Sequence, residues 1–261
     1  KITDKVEYFG YKIIEMVNKL NNISLYNYSI MYEEIKTPQK ANQPESSQNN
    51  AQESSSKSQE GESQSQEKNN EEKQIAMTNM QPNSILKSNT EDIDWDFMKS
   101  QIELINASWS VMMLELYKCN VSNDDIISTS DLINKTIISI KNEDKATTLT
   151  NLTNLYSYIP KFVNILSSEK QKFNLENTKY HILATYSFIT QDDWNSSIAS
   201  LTEAENAFLI ILNDTEYSKN KEFKINKIYM LIKDLQKAVL YTDKELFFVK
   251  YKNLIENLNT L

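Results

Sequence analysis

The 261-residue chain predicts an all-α protein, an antiparallel helical bundle that carries a long disordered, low-complexity tether or insertion. Three observations predict it. Apolar residues recur at alternating spacings of three and four through most of the chain, which gathers them on one stripe of a helix. Only two glycines, Gly10 and Gly61, are available for the tight turns of β-hairpins and α/β folds, although abundant Asn covers some of that need. Between Ile35 and Ile75 there is no Val, Ile, Leu, Met, Phe, Tyr or Trp, so nothing in that tract can be buried.

Taken in order, Val6, Phe9, Ile13, Val17 and Leu20 mark a first helix to about Leu20, and NNISLYNYSIMYEEI predicts a second helical piece to about Glu34. These make an N-terminal helical segment of residues 1–36. Residues 37–87 form the tether, rich in Gln, Ser, Glu and Asn, with a flexible reach of roughly 35 Å for about 40 residues. Residues 88–261 form the bundle. Its first stripe runs through Trp95, Met98, Ile102, Ile105, Trp109, Met112 and Leu116. A weaker one follows at Ile126, Ile133, Ile137 and Ile140, and a third runs from Leu149 through Tyr156 to Leu166. Pro160 should kink that third helix, because it lacks an N–H and crowds the carbonyl of Tyr156. Later stripes fall at Ile182, Tyr186 and Ile189; at Trp194, Ile198, Leu201, Phe208 and Leu212; at Ile225 to Val239; and at Phe247 to Leu258. Helix starts are expected at Ser88, Ser122, Ser168, Thr190 and Thr242, each with Glu, Gln or Asp three residues on.

Composition excludes several functions. There is no Arg, so the bidentate clamping of phosphate or guanine is absent. A net charge of -8 repels polyanions, and no basic patch stands out to reverse that, so no nucleic-acid partner is expected. Neither glycine sits where a phosphate-binding loop would need it. Cys119 is the lone cysteine, which excludes an internal disulfide and points to packing at a helix end. No apolar run is long enough to span a membrane, so membrane attachment is expected only through an N-terminal anchor preceding Lys1.

Catalytic constellations fare poorly. Asp92, Asp94, Asp96 and Glu103 imitate the spacing of a calcium loop, but Phe97 occupies the place of the turn glycine and a helix has already begun. Such acids are accounted for by a helix N-terminus. His181 is the only histidine, so any catalytic triad would have to pass through it, and nothing near it in sequence marks a nucleophile. No cofactor, no metal and no enzymatic activity are expected. Trp95, Trp109 and Trp194 belong to core stripes. Tyr156 and Tyr158, flanking the kink at Pro160, are the candidate partner-binding residues, since a freed carbonyl between two phenols could line a cleft.

The stretches DWDFMKSQIELINASWSVMMLEL and LTNLYSYIPKFVNIL resemble the uncharacterised secreted helical-bundle lipoproteins of AT-rich Gram-positive bacteria, over residues 91–261. That resemblance implies an extracellular or cell-envelope location and brings no functional residue with it. The function expected is non-enzymatic: a binding or scaffold protein whose partner is a protein or another envelope macromolecule. The alternative is a tetratricopeptide-like helical-repeat peptide binder, suggested by Leu183, Tyr186, Ala204 and Phe208, though no 34-residue recurrence accompanies them.

Deleting residues 37–82 is expected to leave the melting temperature nearly unchanged. A large drop would show that the tract packs or binds.

Overall fold

The computed structural model describes residues 1–23, 85–86 and 92–261. The second helical piece expected to Glu34, the tract of residues 37–84 and the start signal at Ser88 lie outside the described residues. Among the described residues there is no strand. The helices are α1 (Ile2–Lys19), α2 (Trp95–Lys118), α3 (Asn123–Lys141), α4 (Lys145–Tyr156), α5 (Tyr158–Leu166), α6 (Lys170–Thr190), α7 (Trp194–Leu212), the one-turn α8 (Thr215–Ser218), α9 (Glu222–Val239) and α10 (Lys244–Asn259).

These helices close into two rings within one compact unit, which includes α1 as well as α2 to α10. In the first ring α1 packs on α2, α2 on α3, α3 on α4, and α4 back on α1. In the second, α6 packs on α7, α7 on α9, α9 on α10, and α10 back on α6. Helix α5 joins the rings by touching α1, α4 and α6. Short connections make chain neighbours antiparallel. Across the long gap, Lys5 meets Glu115, Phe9 meets Trp109 and Lys19 meets Phe97, so α1 also runs antiparallel to α2.

The apolar stripes become the core. Val6, Ile13, Val17, Met98, Leu116, Leu152, Ile182, Phe208, Ile232 and Leu254 are all fully buried. The exception is Ile198, which is 42% exposed because the buried face of α7 runs through Ser197, Leu201, Ala204, Phe208 and Ile211 and leaves it to one side. Trp109 is buried and its indole N–H donates to Ser130 Oγ at 2.7 Å. Trp95 and Trp194 are the first residues of their helices and only partly buried. Gly10 lets α1 approach the α4–α5 junction: a Cβ there would stand 3.2 Å from both Ile159 Cγ2 and the Tyr156 ring.

The ends of the helices follow a common chemistry. Asp94, Asp144, Asp193, Asp214 and Asp243 each cap a helix, accepting the backbone N–H three residues on. Ser122 does the same for Asp125. The other expected start signals shift. Thr190 closes α6 rather than opening α7, Asp243 displaces Thr242, and α6 begins after Glu169, not Ser168. Incoming helices stop at a left-handed residue that is never glycine: Asn22, Asn120, Glu143, Asp192 and Thr242 all have positive φ. At four of these the following N–H reaches back five residues, as from Asp144 to Ser139 O at 2.9 Å and from Asp193 to Phe188 O at 2.9 Å. Asn and Asp tolerate this conformation best, and the left-handed residue stands one or two places before the next cap.

The kink expected at Pro160 is a break at Ser157, between α4 and α5. Pro160 then falls in the first turn of α5, where its missing N–H would have had no helical partner.

Filling the space at Gly10 tests the closure of the first ring. Gly10→Leu is expected to cost about 3 kcal/mol by overpacking against Ile159 and Tyr156, read from the urea midpoint. An unchanged midpoint would show that α1 is not held close.

Candidate functional site

The predicted site residues are brought together in sequence but not at the surface. Tyr156 is fully buried, and its hydroxyl donates to Glu176 Oε2 at 2.5 Å. Glu176, itself buried, also takes Lys179 at 2.8 Å. Burial and the Glu176 charge hold the Tyr156 phenol well above its ordinary pKa, so it remains a donor in a core clamp between α4 and α6. Pro160 is buried beside it. On its α1 side the kink is closely packed, because Gly10 lets the backbone press against Tyr156 and Ile159. Tyr158 alone reaches partial exposure. Its ring lies 5.9 Å from Phe162 and 4.5 Å from the Lys161 ammonium, at the end of a shallow hollow of about 480 Å³ shared with Ile127, Asp131, Lys135 and Asn154.

The better-formed concavity is elsewhere, between α1 and α2. Helix α2 carries a second apolar row outside its core stripe: Leu104 is 59% exposed, Val111 61% and Leu114 62%. Beside it α1 presents Tyr8, 60% exposed and stacked on Tyr11 at 6.4 Å. Tyr8, Phe9, Leu104, Ile105, Val111 and Met112 line a hollow of about 340 Å³, and Phe9 is backed by Trp109 at a ring distance of 6.0 Å. Lysines mark its edges and are held in place. Lys5 pairs with Glu115 at 2.5 Å, and Lys12 pairs with Glu15 at 2.7 Å while lying 5.9 Å over the Tyr8 ring. The Glu15 hydrogen bond lifts the Lys12 ammonium above its ordinary pKa, so this edge stays charged at neutral pH. With its charges paired at the edge, the hollow offers mainly apolar surface.

A polar clasp fixes the other end of α1. Tyr251 donates to Asn18 Oδ1 at 2.6 Å, Tyr186 donates to the Val17 carbonyl at 3.3 Å, and Asn21 donates to the Tyr186 hydroxyl. Lys145 closes the network on Asn21 Oδ1 at 2.8 Å. Burial raises both phenols' pKa values, so both act as neutral donors. The clasp ties α1 to α4, α6 and α10, and it positions the helix that forms one wall of the hollow.

The remaining candidate groups stand apart. His181 is half buried against Tyr180, and burial lowers its pKa. Cys119 ends α2 and is partly exposed. Among the described residues no three His, Cys, Asp or Glu side chains are grouped to hold a metal, and no helix is long and apolar enough to cross a membrane. The α1–α2 hollow did have a signal in the sequence, namely Leu104, Val111 and Leu114 running beside the core stripe of α2. No protein-family model, no curated protein and no solved structure matches the chain.

Removing the Tyr251 hydroxyl leaves the buried Asn18 oxygen without its donor. Tyr251→Phe is therefore expected to cost about 2 kcal/mol in urea unfolding. A cost near zero would show that the clasp does not hold α1.

Proposed function

We propose that the chain is a non-enzymatic binding or scaffold protein of the cell envelope, and that it takes its partner in the apolar hollow between α1 and α2. One observation carries this reading: Tyr8, Leu104 and Val111 stand about 60% exposed around a preformed concavity whose edge charges are already paired. Exposed apolar side chains gathered around a concave site mark an interaction surface rather than scattered surface residues. The walls are two antiparallel helices, and the occupant that suits them is an amphipathic helix laying its apolar face along the groove. The envelope location rests on the lipoprotein resemblance. The closing of the helices into rings favours this reading over a tetratricopeptide-like array, in which helix pairs stack side by side.

The test places a photo-crosslinking residue at Ser108, on the hollow's wall, and compares envelope extracts captured by the native chain and by a Leu104→Asp, Val111→Asp double variant. A protein crosslinked at Ser108 and lost from the double variant supports the proposal. The same proteins returning with both chains, or none with either, defeats it. Both substitutions are at exposed positions, so an unchanged melting temperature is the control for folding.

A further inference from the structure

Helix α9 has a second organised face. Its inward side, Ile225, Ile228, Ile232, Leu235 and Val239, is wholly core. Outward, Phe223, Lys227, Met230 and Lys237 succeed one another at helical spacing, so they share one line along the surface, and Leu240 and Tyr241 follow in the turn just past the helix end. Phe223 is 85% exposed, Met230 64%, Tyr241 74% and neighbouring Leu240 70%. These are among the most exposed large apolar side chains of the described residues, and they occur together.

Lysines alternate with them. From Lys219 to Lys237 the chain carries six lysines against Glu222 and Asp234, a local charge of +4 in a chain of net -8. Pairing with the neighbouring helices removes one charge of each sign and leaves the balance as it is. Asp234 is neutralised by Lys250 of α10 at 2.7 Å, and Lys233 turns aside to Glu205 of α7 at 2.9 Å. Lys221 and Lys224 lean on the main-chain carbonyls of Leu261 and Thr260, which fixes the corner where α9 begins. Lys227 and Lys237 are exposed along the same side of α9 as Phe223 and Met230, and Lys219 is exposed just before the helix begins. The whole-chain charge hides this face, and the sequence signal for it is the run SKNKEFKINK.

Two features specify the partner's chemistry. Ammonium groups on flexible stems suit a smeared layer of negative charge, whereas recognition of a single phosphate would use arginine forks, which this chain lacks. A soluble polyanion has no use for Phe223, Met230, Leu240 and Tyr241, whereas a bilayer surface takes apolar tips below the headgroups while lysines stay level with them. We propose that the outer face of α9 docks the protein on an anionic lipid surface, independently of the α1–α2 hollow.

The test is co-sedimentation of the full chain with large vesicles of phosphatidylcholine alone, or of phosphatidylcholine mixed with phosphatidylglycerol, at low and at high salt. Partition is expected on the mixed vesicles and not on the neutral ones. Each ammonium near an anionic surface contributes roughly fivefold in partition, so Lys219→Gln, Lys227→Gln, Lys237→Gln together should lower it on the order of a hundredfold. Phe223→Ser with Met230→Ser should abolish the part that survives high salt. All five positions are exposed, and unchanged melting temperatures confirm that the variants fold. Equal partition on both vesicle types, absence of partition, or a triple lysine variant that partitions like the native chain overturns the proposal. Binding to soluble polyphosphate together with vesicle partition unaffected by the Phe223, Met230 pair would replace the membrane by a polymeric anion and also overturns it.

Discussion

The fold depends on α1 seating against helices that lie more than seventy residues further along the chain. Without it the first ring is an open set of three helices. Two free energies compete in that closure. Joining the ends of a long intervening segment costs entropy that grows only with the logarithm of its length, about 0.6 kcal/mol per doubling. Against it stand Val6, Phe9, Ile13, Ile14, Met16 and Val17, all buried, each contributing roughly 1.5–3 kcal/mol. Each doubling of the intervening length therefore costs less than burying any one of these side chains returns. The clasp of Asn18 and Asn21 with Tyr186, Tyr251 and Lys145 then gives α1 a definite register along its groove.

The same economy governs the other connections. Asp144, Asp193 and Asp243 open a helix directly after a left-handed residue that ends the previous one. That pairing makes turns so short that consecutive helices can only fold back on each other. It also explains how a nearly glycine-free chain reverses direction repeatedly: asparagine and aspartate accept positive φ at modest cost, and Glu143 and Thr242 are carried there by the bonds around them.

Most of the fold was legible because burial has the period of the helix. Nearly every residue on the stripes is core, and the same stripes contained the answer about Tyr156, which follows Leu149 and Leu152 on one of them and is buried with them. One proline downstream does not override that periodicity, and Tyr156 faces the core rather than a cleft. The cap positions slipped for a different reason. A Ser or Thr followed three residues on by an acid resembles a start, but Thr190 is the last residue of α6, and the side chain that captures free N–H groups is Asp193. The two surface features escaped because they depend on what is left over after the core is assigned. The outer row of α2 becomes visible only once Trp109 and its partners are known to face inward, and the lysine face of α9 vanishes in an average taken over an acidic chain.

Trp109 has a further consequence. Its indole sits between Phe9 of α1 and Phe162 of α5, with ring centroids 6.0 and 6.2 Å away, and it is 97% sequestered from solvent, being 3% exposed. Phe9 is the only one of these rings that belongs to α1. If α1 leaves its place, one wall of the indole's box goes with it and the chromophore meets water, while Trp95 and Trp194, already partly wet, change little. The protein thus carries an optical gauge of whether its first ring is shut, readable from its own emission colour without any attached dye.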